Sequence, residues 1–400
     1  MIGIIFLINL LFLFLVGFLV AYLALLSILA LGYQKMGVTD TPRLRKFAFL
    51  VPAHNEEITI GKTLESMSVV DYPSSLFDIV VVADNCTDRT AEKAQAKGAV
   101  VYQREDPTLK GKGYALRFGF QKILSHLAYE AIVVVDADST VSQNFLRVAN
   151  KYLDEGALVI QTSDLVPPQP SAWSSEVMRL GFTLYNYVRP LGRRVIRCSA
   201  GLRGNGMVFS REILERVPWQ AYSLAEDLEY GLMVLLHGIS VRFAPEATVW
   251  ATMPQQEIHA ETQRARWEGG RFPIIRHYVG KLAGAALRLR SFKPFDALLD
   301  LITPPLANLV ALCLGMMLAN AVLWLLGIAQ MMQYVLWWGL VIGLAAVHVL
   351  VGLFVANSDQ LLYRALLHVP RYAVWKLTTY VRMFTSRGGK EWVRTPREAD

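Results

Sequence analysis

The sequence predicts an α/β domain on a mostly parallel sheet, joined to three transmembrane helices and to interfacial amphipathic helices. Short apolar runs alternate with helix-like segments between residues 46 and 161, the pattern of parallel strands linked by crossover helices. Two long stretches, Met1 to Leu31 and Leu301 to Asn357, contain no Asp, Glu, Lys or Arg. The hydrophobic fraction is 54%, above the roughly 45–50% of an ordinary soluble domain.

Each element follows from these runs. A helix of about 20 apolar residues crosses the hydrocarbon core, so Met1 to Leu31 supplies one span and Leu301 to Asn357 two, joined by a turn near Gln330 to Gln333. A cleavable leader would have an apolar region of about 7–15 residues behind a basic start; the first run is longer and lacks that start, so an uncleaved anchor is expected. Lys35, Arg43, Arg45 and Lys46 follow the first span, and Arg364, Arg371, Lys376 and Arg382 follow the last. Under the positive-inside rule the polar middle and the tail face the cytoplasm and the N-terminus lies outside, in a cell inner or plasma membrane. The net charge of +7 flanks the apolar segments instead of forming one stripe, which argues for membrane orientation and against nucleic acid. Cys86, Cys198 and Cys313 lack the paired spacing of a zinc site or disulfide framework. The expected division is a membrane helix over 1–33, an α/β domain over 34–255, interfacial helices over 256–300, two membrane helices over 301–357, and a basic, partly amphipathic tail over 358–400.

Within the polar middle, strands are expected at 46–52, Ile79 to Ala83, Ala99 to Tyr102, Ile132 to Val135 and Leu158 to Gln161. Helices are expected at Glu56 to Met67, Thr90 to Lys97 and Tyr114 to Leu127. In open α/β sheets ligands lie at the carboxyl ends of strands. Three of those ends are polar: Pro52-Ala53-His54-Asn55-Glu56, Asp84-Asn85-Cys86-Thr87-Asp88 and Asp136-Ala137-Asp138. One such Asp reads as a helix cap; three neighbouring carboxylate-bearing ends repel one another unless a cation or ligand joins them.

Asp136 and Asp138 on an extended backbone would point to one side and share a hard cation, which prefers one or two carboxylates plus substrate phosphates. Lys110-Gly111-Lys112-Gly113 opens a helix with cations and backbone N–H groups where phosphate can bind. Gly201-Leu202-Arg203-Gly204-Asn205-Gly206 permits close approach of backbone to a ligand. Ser223 and Glu226 have capping-box spacing, which accounts for Glu226 and leaves Asp227 as a candidate general base. Gln263, Arg266 and Trp267, three and four residues apart, share one helical face.

These motifs together resemble the membrane-integrated family 2 glycosyltransferases, the group of cellulose, chitin and hyaluronan synthases and ceramide glucosyltransferase. The resemblance covers about Phe47 to Trp267. It implies a GT-A nucleotide-sugar domain and inverting transfer from a UDP-sugar to a membrane lipid or a growing β-linked glycan. It places Pro52, Ala53, Asn55, Glu56, Asp84, Lys112, Asp136, Ala137, Asp138, Gln263, Arg266 and Trp267 at the donor. Asp84 would take base and ribose, and Asp138 with Asp136 would hold Mg²⁺ or Mn²⁺. Gly204, Asn205, Glu226 and Trp267 would line the acceptor side, and Asp227 would be the catalytic base. Ala225 stands where processive synthases usually carry Thr, as in the lipid-glucosylating branch, and three spans are fewer than polymer-secreting synthases have. The span count tilts the expectation slightly toward a lipid or lipid-linked acceptor, while the Gln263-Arg266-Trp267 motif is shared by both branches. A silent nucleotide-sugar-binding subunit would not need Asp138, Asp227 and the Gln263-Arg266-Trp267 set at once. A transporter would carry charges inside its spans.

Overall fold

The computed structural model describes residues 2–37, 43–126, 128–168, 173–251, 257–369 and 371, with side chains described for all of these except 2, 173 and 257–268. The first helix, α1 (Ile2–Ala30), is apolar apart from Asn9, Tyr22 and Ser27. The chain then alternates through β1 (Phe47–Ala53), α2 (Ile60–Ser68), β2 (Phe77–Asp84), α3 (Thr90–Ala96), β3 (Val100–Arg104), α4 (Lys112–Leu124) and β4 (Ala131–Val134). Next come β5 (Ser139–Val141), α5 (Phe145–Asp154) and β6 (Val159–Leu165), then α6 (Trp173–Thr183) and α7 (Arg189–Val195), joined by a π-helical turn over Leu184–Val188. After these run β7 (Met207–Ser210), α8 (Arg211–Arg216), α9 (Glu226–Leu236), β8 (Arg242–Ala251) and the long α10 (Glu257–Leu289). The last elements are α11 (Phe292–Ile302), α12 (Leu306–Leu325), α13 (Met331–Val355) and α14 (Gln360–Ala365).

Contacts divide the chain into two units. One gathers the described parts of 34–167 and 198–297 around a sheet of order β3-β2-β1-β4-β7-β6-β8-β5. β1 pairs in parallel with β2 and β4, β2 with β3, and β6 with β8, while β7 is antiparallel to β4 and β6, and β5 to β8. The sheet is therefore mixed, with a parallel half where sequence alternation is clearest. β1 is buried on both faces, which is why it reads as the continuous apolar run Phe47-Ala48-Phe49-Leu50-Val51. Phe49, Val51, Val133 and Phe145 fill one layer.

The register decides what shares an edge. Ala53 lies beside Ala83 at the carboxyl ends of β1 and β2, and Val134 of β4 lies beside Leu50. Because β7 runs the other way, its first residue, Met207, pairs with Val134, and the glycine-rich loop before it reaches the same edge. Gln161 of β6 also pairs with Met207, so Ser163 and Asp164 extend past it. Gly206 permits this crossing: its φ is +66°, and a Cβ there would lie 2.2 Å from Thr162 Oγ1.

The second unit collects the described parts of 1–33, 168–197 and 298–389. Three of its helices are long and apolar enough to cross a membrane: Gly3–Ala30, Leu306–Leu325 and Met331–Val355. Val20, Leu23, Leu26, Trp338, Val341 and Ala345 pack among them. Two polar pairs join them: Asn320 Nδ2 donates to Asn9 Oδ1 at 2.7 Å, and Ser27 Oγ lies 2.6 Å from His348 Nδ1. The segment 168–197, which the sequence places inside a continuous 34–255 domain, groups with these helices. Val177, Leu180, Leu184, Val188 and Leu191 recur at helical spacing on it, but interleaved charges hide the stripe from a hydropathy reading. Those charges are paired within the unit. Arg193 Nη1 lies 3.0 Å from Asp300 Oδ2, and Arg179 binds Asp359 through two bonds of 2.8 Å. Residues 372–400, with Lys376, Arg382 and most of the expected tail helix, lie outside the described residues.

Gly192 fixes the approach of α7 to α1, since a Cβ there would meet Leu26 O at 2.2 Å. Gly192→Leu is expected to lower the melting temperature in detergent by several degrees, as overpacking costs about 1–3 kcal/mol. Gly181→Leu, where a Cβ meets nothing within 4 Å, is the control and should leave it nearly unchanged.

Candidate active site

The carboxyl ends of β1 and β2 are tied together before any ligand arrives. Asn55 and Asn85, at φ +56° and +51°, turn the chain away from the sheet, a conformation Asn tolerates better than most residues. Asn55 Nδ2 donates to Thr87 Oγ1 at 3.1 Å, and the Glu56 N–H donates to Thr90 Oγ1 at 2.7 Å. The Glu56 carboxylate accepts from Thr59 Oγ1 at 2.7 Å at the start of α2. Pro52 and Ala53 lie within β1, beside Val82 and Ala83. The side chain of Asp84 is buried and ion-paired with Arg104 at 2.5 Å, and Asn85 Nδ2 adds a bond of 3.2 Å. Arg104 also donates to Leu109 O and sits 6.0 Å from the Tyr114 ring centroid. Asp84 is thus presented at the edge by a guanidinium on β3 whose partner the sequence did not disclose.

A second group forms where β4, the 201–206 loop and α9 converge. Asp136, Ala137 and Asp138 do not continue the extended strand: Ser139 N–H donates to Asp136 O at 3.1 Å and closes a turn. The expectation of two carboxylates on one side of an extended backbone is corrected to two carboxylates on a turn. Lys112, the first residue of α4, places its Nζ 2.5 Å from Asp136 Oδ1, 2.6 Å from Gly204 O and 3.9 Å from Glu226 Oε1. A Cβ on Gly204 would lie 3.3 Å from Asp227 Oδ2 and 3.8 Å from Lys112 Nζ, so loop, base candidate and ammonium adjoin. Asn205 fastens the arrangement. Its Oδ1 accepts from Asp136 N–H at 3.1 Å, its Nδ2 donates to Ser139 Oγ at 2.9 Å, and its carbonyl accepts from Gln161 Nε2 at 2.7 Å.

The capping-box reading of Glu226 is overturned. Ala225 is the cap residue of α9, with no side-chain cap bond, and Ser223 Oγ makes no hydrogen bond. Glu226 instead faces Lys112 from the first turn of the helix. Asp164 was not singled out from the sequence, because β6 was expected to end at Gln161. The polar continuation Thr162-Ser163-Asp164 is the signal, since such residues extend a buried strand only where they face something polar. Asp164 is 4% exposed, and its carboxyl lies within reach of Asn205 Nδ2 at 3.5 Å. Gln263, Arg266 and Trp267 fall on α10, but their side chains lie outside the described residues. Gly270, three residues after Trp267, passes close to the residues just before α9, where a Cβ would lie 3.0 Å from Leu224 Cβ.

The electrostatics follow from crowding acids at a partly buried edge. Burial, then the charge of Asp136, raises the Asp164 carboxyl well above the usual range. Burial raises Asp227 as well, and it raises Glu226 to about 7 against the pull of Lys112. Burial opposes the ammonium of Lys112, but Asp136, Glu226 and Asp227 together outweigh it and hold its pKa above the ordinary lysine value. Among the described residues no group of three or more His, Cys, Asp or Glu side chains is arranged to hold a metal. The donor set at Asp136 and Asp138 is two hard oxygen ligands, which suits a cation completed by phosphate oxygens and water.

Because the folded protein keeps a proton on Glu226 up to a pH of about 7, while an unfolded Glu loses it near 4.5, stability is expected to fall between those values. The loss is on the order of 1–3 kcal/mol. Melting temperature against pH should show the decline, and Glu226→Gln should flatten it; an unchanged slope would contradict the assignment.

Comparison with known proteins gives these features a context. A model of the family described as "Glycosyltransferase like family 2" matches residues 42–270. The chain is 28% identical over 247 residues to the probable glycosyltransferase YdaM of Bacillus subtilis, covering 60% of this chain and 58% of that protein. It is 26% identical over 243 residues to the beta-monoglucosyldiacylglycerol synthase of Synechocystis, covering 58% and 50%. It is 23% identical over 269 residues to a poly-beta-1,6-N-acetyl-D-glucosamine synthase of Staphylococcus epidermidis, covering 63% and 61%. The matches thus span between half and about three fifths of these relatives. Among solved structures, the mannosyltransferase PcManGT from Pyrobaculum calidifontis, in complex with GDP-Man and Mn²⁺, superposes with a TM-score of 0.50 at 18% identity, over 84% of this chain and 95% of that one. The sheet therefore has the GT-A type of architecture. Residues 42–270 contain every strand of the sheet and every residue of the edge cluster, and the chain belongs to the family 2-like glycosyltransferases.

Proposed function

We propose that this protein transfers a sugar from a UDP-sugar to a hydroxyl of a membrane lipid or a growing β-linked glycan, with inversion, at the cytoplasmic face of a membrane. One observation carries the reading: Asp227 stands beside Gly204 and Lys112, on the same sheet edge as Asp136 and Asp138. A proton acceptor and a diphosphate site are thereby brought together, as sugar transfer requires. Asp84 and Arg104 at the end of β2 and β3 are suited to base and ribose, and Asp136 and Asp138 to the diphosphate. Mg²⁺ or Mn²⁺, held there by Asp136 and Asp138, would supply neutralisation of the charge that develops on the leaving diphosphate.

The chemistry of the chain's own groups is then direct. The Asp227 carboxylate accepts the proton of the acceptor hydroxyl as its oxygen bonds to the anomeric carbon. The bond from that carbon to the diphosphate oxygen breaks on the opposite face, so one displacement inverts the centre and UDP leaves. Burial raises the Asp227 carboxyl above the usual carboxylate range, which strengthens it as a base. Lys112 brings an ammonium to the phosphates, and Asn205 holds the Asp136 backbone in place. Gln263, Arg266 and Trp267 would act on the donor diphosphate and the acceptor entrance, on the basis of the motif alone. Membrane attachment rests on the three apolar helices, and the cytoplasmic orientation on the basic residues that flank them.

Release of the nucleoside diphosphate, UDP or GDP, should be followed in detergent across a panel of UDP-sugars and GDP-mannose, with Mg²⁺ or Mn²⁺. Metal-dependent turnover with one donor is expected, and Asp227→Asn should lower kcat by about 10²–10⁴ with little change in KM. Turnover that survives this substitution would remove Asp227 from the base role. Labelled product extracted into organic solvent would identify a lipid acceptor, and ethanol-insoluble label a polymer.

A further inference from the structure

We infer that Lys112 is a resident counter-ion, which occupies the Asp136 carboxylate until a nucleoside diphosphate draws it away and so makes metal binding depend on nucleotide. The inference rests on the proposed transferase reading and concerns the order in which that site is filled.

The ammonium is placed as a bound cation would be. Its Nζ meets oxygens from three elements: Asp136 after β4 at 2.5 Å, the Gly204 carbonyl before β7 at 2.6 Å, and Glu226 at the start of α9 at 3.9 Å. The Lys112 side chain is 24% exposed and that of Asp136 37%, so the pair is open on one side to an incoming ligand. Asp138, Asp164 and Asp227 complete the acidic surroundings, with Arg203 also near Asp227. Without compensation these carboxylates would repel one another, and Lys112 holds the three elements together in the absence of substrate.

A divalent cation on Asp136 would sit next to this ammonium and be repelled by it. The repulsion ends when the ammonium finds a stronger partner, and a diphosphate carries more negative charge than one carboxylate. Lys112 lies at the first turn of α4, where rotation about its four side-chain bonds moves the charge without moving backbone. Nucleotide binding therefore releases Asp136 and supplies phosphate oxygens at the same place. Linkage makes the effect mutual: whatever factor nucleotide adds to metal affinity, metal adds to nucleotide affinity. The device would keep a divalent cation from settling on the acidic edge without donor.

The test is Mn²⁺ binding to the full chain in detergent, followed by the electron paramagnetic resonance signal of free Mn²⁺, with and without UDP. Wild-type protein should bind Mn²⁺ weakly alone and at least tenfold more tightly with saturating UDP. Lys112→Gln keeps a hydrogen-bond donor near Gly204 O but no charge, and should bind Mn²⁺ without UDP at least tenfold more tightly than wild type. Lys112→Arg, which keeps the cation, should stay weak. Lys112→Met serves in place of the Gln variant if that one does not fold. Mn²⁺ affinity without UDP that is unchanged or weaker in the neutral variants overturns the inference while leaving the transferase reading intact, provided UDP still binds. Binding of neither UDP nor Mn²⁺ to wild-type protein would overturn both.

Discussion

The antiparallel pairing of β4 with β7 is the constraint on which the candidate site depends. A wholly parallel sheet would send the start of β7 to the opposite edge from the carboxyl ends of β1, β2 and β4. With Val134 beside Met207, the loop over 201–206 lies next to the turn that carries Asp136 and Asp138. β6, antiparallel to β7, then brings Asp164 to the same place. The chain assembles one edge from segments more than a hundred residues apart, and it does so with main-chain hydrogen bonds, whose geometry leaves little freedom in register.

Such an edge has an electrostatic cost. Asp136, Asp138, Asp164, Glu226 and Asp227 crowd together where water is partly excluded, and charged carboxylates there raise one another's proton affinity. The structure meets this in two ways. Burial leaves Asp164 and Glu226 inclined to keep their protons, and Lys112 neutralises Asp136 directly. Asn205, neutral and able both to donate and to accept, links the turn to the loop without adding charge. On the proposed reading, a site prepared in this way would receive a ligand that arrives with both phosphate oxygens and a cation.

The helical unit handles polarity differently. Its helices α1, α12 and α13 bury few polar side chains, and two pairs of these meet, Asn9 with Asn320 and Ser27 with His348. The segment from α6 to α7 joins this unit although it lies between β6 and β7 in the sequence. Its charges find partners within the unit, Arg193 on Asp300 and Arg179 on Asp359. An unpaired charge at such depth would be costly, so these pairs are a condition of placing the segment there at all.

The sequence by itself determined the local features. Apolar runs marked the first four strands, because parallel strands covered on both faces are continuously apolar, and charge-free stretches marked the three long helices by length alone. The acidic strand ends were legible for the same reason, since each is a short string of residues close in sequence. Only the tertiary structure decided the rest. The partner of Asp84 is Arg104 on the next strand, and Glu226 faces Lys112 instead of capping its own helix. Asp164 enters the site through a strand longer than its apolar run, and α6 and α7 leave the sheet unit for the helical one. In each case the deciding contact joins residues far apart in the chain. Local propensity fixes which element forms, but long-range register and the pairing of buried charge fix what that element meets.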